Sequence, residues 1–486
     1  MPDLRRQVLE SGKTISRKAA SKEGSGRTSR TNSAHNSPKS SRNTSRQPSD
    51  DEDAGNTSDD TMSLGSLDDL ESVDVEDSST DWISELQEII EDILDRKRSS
   101  VFGREETYAA FCRLAKVKYV FQQIWRQVPD LLAAFLRSIR SETSVRETTL
   151  ALRALELLVI TAQDDTIFEN AEPLLTRAIR DSTSVTIKAA AIHCLGTCTM
   201  FGGAGDEGIQ DQMTFLLDIV ASDGQSIDAQ DDRACVTAAL QEWGFMATEI
   251  EDLESESEDC VQIFMEQLTS SEPSVQVAAG ENIALLYEKS YTPQEDDEDE
   301  DEEEGSDNEN DGDSDSEDEH EPLSTGPKLI KRYNAYHNTP ELEDQLQSLA
   351  TVHTKRISKR DKKSLHANFA SIRTTVANPR RGPMYNTAID QDTNRHYGNK
   401  LTVKIGKQGV VHIDRWWKWI RLASLRRVLQ GGFAVHYFQG NRAVHIILPV
   451  VMVRMQDNNS GRNTPKKAHK MRQGRRLEIH GYSDED

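Results

Sequence analysis

Arg415-Trp416-Trp417-Lys418-Trp419 sets three indoles among cations, the combination that stacks on bases and binds phosphates. On a helix, Trp417, Ile420, Leu425 and Val428 fall on one side. Trp416 and Trp417 are therefore expected in a core. Trp419 points away and is the candidate exposed contact, with Arg415 and Lys418 supplying charge. Downstream, Lys466, Lys467, Lys470, Arg472, Arg475 and Arg476 make a basic stretch suited to following an RNA backbone. The same composition would serve as a nuclear-import signal. Ser37 and Ser49 are phosphorylation candidates, Ser49 because it stands between a basic and an acidic flank.

Other spacings argue against chemistry. Gly203-Ala204-Gly205-Asp206-Glu207-Gly208 matches a dinucleotide loop, but it follows a helical segment, and its two acids would repel a pyrophosphate. An inter-helix loop is the expectation. His193, Cys194 and Cys198 lack a fourth zinc ligand, so core packing is expected. Residues 307–318 resemble a calcium loop, but Asp318 stands where the bidentate Glu belongs. No nucleophile elbow, P-loop or HExxH motif occurs. The expectation is a non-enzyme with no cofactor, no metal and no small-molecule substrate.

The elements that would position these residues are helical. From residue 80, apolar residues recur at helical spacing, beginning with Ile83, Leu86, Ile90 and Ile93. Four segments starting at Ser144, Ser184, Asp232 and Ser274 resemble one another, at separations of 40, 48 and 42 residues. That is close to the roughly 40–47-residue period of HEAT and armadillo units. Each segment starts at a cap residue. Ala189, Ala190, Ala191, Ala238, Ala239, Ala278 and Ala279 would let neighbouring helices approach closely. The expected fold is all-α: an armadillo/HEAT-like helical-repeat superhelix over 80–293, with a small mixed α/β module over 328–456. In that module, 341–377 is read as helical, 401–413 as a hairpin, Asp414 as the cap of a helix ending near Gly431-Gly432, and Val435 and Tyr437 as strand.

Charge divides the chain the same way. Residues 1–50 carry +7, residues 51–293 carry -31, residues 294–321 carry -19 and residues 322–486 carry +18. The hydrophobic fraction is 35%, against about 45–50% in ordinary globular chains when Gly is included. The shortfall lies in a leader (1–79), an acidic linker (294–327) and a basic tail (457–486), all expected to be disordered. Five sparse cysteines, no signal-peptide core and no membrane-length apolar run suggest an intracellular, membrane-free protein. A basic block behind an acidic body points to polyanion binding on a protein-binding scaffold.

The C-terminal block has a further likeness. Ser358-Lys359-Arg360-Asp361-Lys362-Lys363, Phe369 and Ile372 are followed by Leu401-Thr402-Val403-Lys404-Ile405-Gly406. Ile413-Asp414-Arg415-Trp416-Trp417-Lys418, Val428-Leu429-Gln430-Gly431-Gly432, His436 and Asn441 complete the pattern. It resembles the C-terminal domain of the interferon-related developmental regulator family, and the long acid insert and additional tryptophans mark a distant member. The resemblance implies a non-enzymatic regulator with an armadillo-like fold. It implies either ribosome and rRNA association with a role in translation, or nuclear co-regulation of transcription through co-repressor complexes. Both cytoplasmic and nuclear localisation are expected.

Overall fold

The computed structural model describes residues 81–95, 99–294, 329–351, 359–390, 395–399, 401–406, 409–448 and 452–453. The leader, residues 295–327 and the basic tail lie outside these.

The array opens with α1 (Asp81–Leu94), which buries Leu86, Ile89, Ile90 and Ile93, one stripe of an amphipathic helix. Helices α2 (Val101–Val117) and the short α3 (Phe121–Ile124) follow. Four helix pairs come next: α4 (Val128–Ser141) with α5 (Val145–Ala162), α6 (Ile167–Asp181) with α7 (Val185–Phe201), α8 (Gly205–Ala221) with α9 (Arg233–Ala247), and α10 (Glu254–Gln267) with α11 (Pro273–Lys289). The second helix of each pair starts within one residue of a repeat start. Ser144 caps α5 by accepting from the Glu147 N–H, and Asp232 caps α9 by accepting from the Cys235 N–H. Ser184 makes no such bond, and Ser274 lies inside α11, where Pro273 starts the helix.

These second helices stand in one row: α2 packs on α5, α5 on α7, α7 on α9 and α9 on α11. Ala191, Ala238, Ala239 and Ala279 are fully buried along it, so the helix backbones approach closely. Only Gly203 and Ala204 of the GxGxxG segment lie in the loop between α7 and α8; the expected loop is shorter, because residues 205–208 form the first turn of α8. A Cβ at Gly203, whose φ is +89°, would lie 2.3 Å from the Asp165 carbonyl oxygen. Cys194 and Cys198 are buried free thiols inside α7.

The row continues past the acid run. A two-stranded antiparallel ribbon, β1 (Tyr291–Pro293) with β2 (Leu329–Lys331), closes the base of the insert. Helices α12 (Thr339–Thr351) and α13 (Lys359–Ala377) then form another pair, and α13 packs on α11. Gly280 makes room for it: a Cβ there would meet Ile372 Cδ1 at 2.7 Å.

Two small antiparallel sheets follow: β3 (Tyr385–Asp390) with β4 (Arg395–Asn399), and β5 (Thr402–Ile405), β6 (Gly409–His412) and β7 (Met452–Val453) in that order. The expected hairpin is β5–β6. Helix α14 (Trp416–Leu429) leads through a 3-10 turn to α15 (Phe433–Phe438) and α16 (Arg442–Ile447). Val435 and Tyr437 are therefore helical, not strand, and Tyr437 is buried. Array and C-terminal segment share a single hydrophobic core. No helix among the described residues is long and apolar enough to cross a membrane.

Candidate functional site

Helix α14 is buried on nearly every side, against the row formed by α2, α5, α9 and α11. A helix end leaves orphan N–H or C=O groups that need partners, and the array supplies both sets. At the N-terminus, Glu288 accepts from the backbone N–H groups of Trp416 (2.7 Å) and Trp417 (3.1 Å). At the C-terminus, Arg153 donates to the carbonyls of Arg427 and Val428, both at 2.6 Å. An acid at the positive end and a cation at the negative end also suit the helix dipole. The cap is thus Glu288, not Asp414, whose carboxylate pairs instead with Lys418.

Between its ends α14 extends polar groups into the array. Arg427 bonds Glu156, reaches Glu242 at 2.9 Å and donates to Thr197 Oγ1 at 3.1 Å. Gly196 leaves space for this: a Cβ there would stand 2.1 Å from Glu242 Oε2. Arg421 donates to Thr248 Oγ1 (2.8 Å) and the Thr248 carbonyl (3.0 Å), and pairs with Glu249. Trp416 Nε1 donates to Thr375 Oγ1 at 2.7 Å, and Trp419 Nε1 to Glu281 at 2.9 Å. Beyond α14, His436 Nε2 donates to the Ala115 carbonyl (3.0 Å) and its Nδ1 accepts from Asn441, which also donates to the Ile160 carbonyl (3.1 Å).

Burial and charge set the titration of these acids. Burial alone would raise the Glu156 carboxyl, but the Arg427 and Arg153 charges overcome it and hold the group down to about 2. Among the described residues, no cation opposes the burial of Glu281. Burial pushes it up to about 8, against the opposing Trp419 hydrogen bond. Glu288 is pushed up to about 7 by burial, opposed by Arg415 and its two backbone donors. Both raised acids bind more protons folded than unfolded, so stability falls as pH rises from about 4.5 to about 8. His436, lowered to about 4 by burial, acts in the opposite sense only between about 4 and 6.5. Calorimetry between pH 6.5 and 8 is therefore expected to show stability falling by about 1–2 kcal/mol. Glu281→Gln should remove about two-thirds of that slope. A flat profile in the wild-type chain would refute the assignment.

The sequence candidates are distributed unevenly. Trp419 is not an exposed contact: it is fully buried, on a helix that the array covers on nearly every side. Trp416 is buried as expected, whereas Trp417 keeps partial exposure between Lys418 (5.5 Å to the ring) and Arg421 (5.1 Å). Arg415 donates to the Arg380 carbonyl at 3.4 Å. Lys466, Lys467, Lys470, Arg472, Arg475, Arg476, Ser37 and Ser49 lie outside the described residues. Sequence reading missed Glu156, Glu242, Glu281, Glu288, Arg421 and Arg427. One signal was present: Glu156 interrupts the apolar run Leu155–Leu158, an acid where only a paired group is tolerated. Among the described residues, no group of three or more His, Cys, Asp or Glu could hold a metal ion.

A sequence model described as Interferon-related developmental regulator matches residues 49–377, a stretch ending at the last residue of α13. The residues from Leu401 to Asn441 that carried part of the resemblance lie beyond it. An uncharacterized protein of Schizosaccharomyces pombe is 25% identical over 389 residues, covering 78% of each chain.

Proposed function

The chain belongs to the interferon-related developmental regulator family, and from that premise we propose a non-enzymatic scaffold that associates with ribosomes or RNA through its basic C-terminal block and regulates translation. The charge layout carries this reading: residues 322–486 hold +18 behind a body of -31. The tail cations supply phosphate contacts, rRNA is the leading partner, and the outer face of the array meets proteins. The protein works in the cytoplasm and enters the nucleus. The alternative is a nuclear co-regulator that recruits co-repressor complexes on the inner face of the array. We take that face to be the row of second helices, on which α14 packs, so this reading requires α14 to leave, and we favour the first.

Sedimentation of the tagged full chain in lysate, near physiological salt and above it, tests the proposal. Co-sedimentation with monosomes but not polysomes is expected. Replacing Lys466, Lys467, Lys470, Arg472, Arg475 and Arg476 with Ala should weaken RNA binding at least about tenfold and reduce the salt slope by up to about 4. A chain that stays at the top of every gradient refutes the ribosomal role. An unchanged salt slope refutes the tail assignment.

A further inference from the structure

Within the acidic body, residues 107–129 hold four cations (Arg113, Lys116, Lys118 and Arg126) and no Asp or Glu. Residues 415–448 likewise contain no acid. The fold brings these two acid-free stretches together: Lys116 Nζ donates to Gln430 Oε1 at 2.6 Å, the Tyr119 N–H to Gln439 Oε1 at 3.1 Å, and Tyr119 lies 5.7 Å from the His436 ring. On the resulting shoulder the aromatic rings are uncovered. Trp125 is 53% exposed and Phe121 38% exposed, one helical turn apart. Tyr119 and Phe121 lie near-parallel, 6.1 Å apart at 11°. The Arg126 guanidinium sits 4.7 Å from the Trp125 ring centre. Glu85 reaches the edge of the patch, 3.8 Å from Arg113.

Neighbouring aromatic rings left uncovered beside cations offer a contact surface. Protein interfaces also use aromatic rings and Arg, and the excess of cations decides between a protein and an RNA partner. Here planar, partly exposed rings are flanked by Lys116, Lys118 and Arg126, with Glu85 at the edge against Arg113, which is the chemistry of base stacking with phosphate neutralisation. The geometry points to a single-stranded RNA site on this shoulder, where Trp125 and Phe121 stack on bases and Arg126, Lys116 and Lys118 meet phosphates. It deepens the RNA reading above by adding a base-contacting site separate from the tail.

The test is fluorescence anisotropy on the full chain with a labelled 12-nucleotide oligo(A) RNA, and with heparin as a polyanion that has no bases. Phe121→Ala/Trp125→Ala should bind the RNA about tenfold more weakly or worse and heparin unchanged, with Trp125→Phe partly restoring RNA affinity. Both rings are exposed, so the melting temperature should hold. Should the double variant misfold, Arg126→Ala is measured in its place, with severalfold weaker RNA binding expected. Unchanged RNA affinity overturns the site, and loss of a co-purifying protein by the same variant would make it a protein surface. Equal loss of RNA and heparin also overturns base stacking. If only the six-cation tail variant loses RNA, the site fails while the RNA reading stands. If the wild-type chain binds no RNA, both fail.

Discussion

Replacing Arg427 with Ala should lower the stability of the chain by about 3–5 kcal/mol, the range for stranding a buried partner. The Glu156 and Glu242 side chains are 5% and 0% exposed, and Arg427 is the cation that reaches both. Removing it leaves Arg153 for Glu156 and His193, at 2.7 Å, for Glu242. Glu156 would then lose the leading influence that opposes its burial, and its pKa would climb. The sign of its pH dependence follows. In the native chain a carboxyl held at about 2 contributes stability above about 4.5 that is lost as pH falls toward 2. In the variant that contribution is small or reversed, so the deficit relative to wild type should shrink as Glu156 protonates. Arg427→Lys should not rescue, because one ammonium cannot span two carboxylates and the Thr197 hydroxyl. Glu156→Gln in the Arg427→Ala background should recover part of the loss. Urea unfolding measures this through the midpoint at constant slope. A loss under about 1 kcal/mol would mean that the pair is solvated.

The array was legible and the site was not, for one physical reason. Repeat starts at 144, 184, 232 and 274 fall within one residue of Val145, Val185, Arg233 and Pro273, because helix-to-helix packing depends on local apolar period and small residues, both written along the chain. Helix α14 obeys neither rule. The charged groups that hold it lie more than a hundred residues away: Glu288 at one end, Arg153 and Glu156 at the other. No local spacing announces a cap supplied from 128 positions upstream. A helical wheel assumes one wet face, so it assigned solvent to Trp419 and core to Trp417, and a helix covered by the array reversed the two. Val435 and Tyr437 read as strand from their residue types. The turn at Gly431-Gly432 and the docking against α2 made them helical instead, tertiary contact overriding propensity.

That docking gives the second large expectation, at Gly432. Its backbone is ordinary right-handed helix, with φ -80°, so glycine is not required there for conformational freedom. It is required for approach: a Cβ would lie 1.8 Å from the Lys116 carbonyl oxygen and 3.2 Å from Val117 Cα. Both are backbone atoms at the end of α2 and cannot swing aside as a side chain would. Gly432→Ala must therefore lift α15 from α2, straining the Lys116–Gln430 and Tyr119–Gln439 bonds and the His436 bond to the Ala115 carbonyl. The cost should reach about 3 kcal/mol, the upper end for overpacking a tight contact. Gly205→Ala is the comparison. Its φ is +67° with nothing within 4 Å of a Cβ, so it should lose only about 1 kcal/mol from left-handed strain. Hydrogen exchange separates local from global effects. Amides of α15 and α16 should lose protection in Gly432→Ala while those of α7 and α9 keep theirs. Were α7 and α9 to open together with α15, the segment would be a cooperative part of the array's core. In that case no partner could gain the inner face without unfolding the chain, and the co-repressor reading of that face would fall with it.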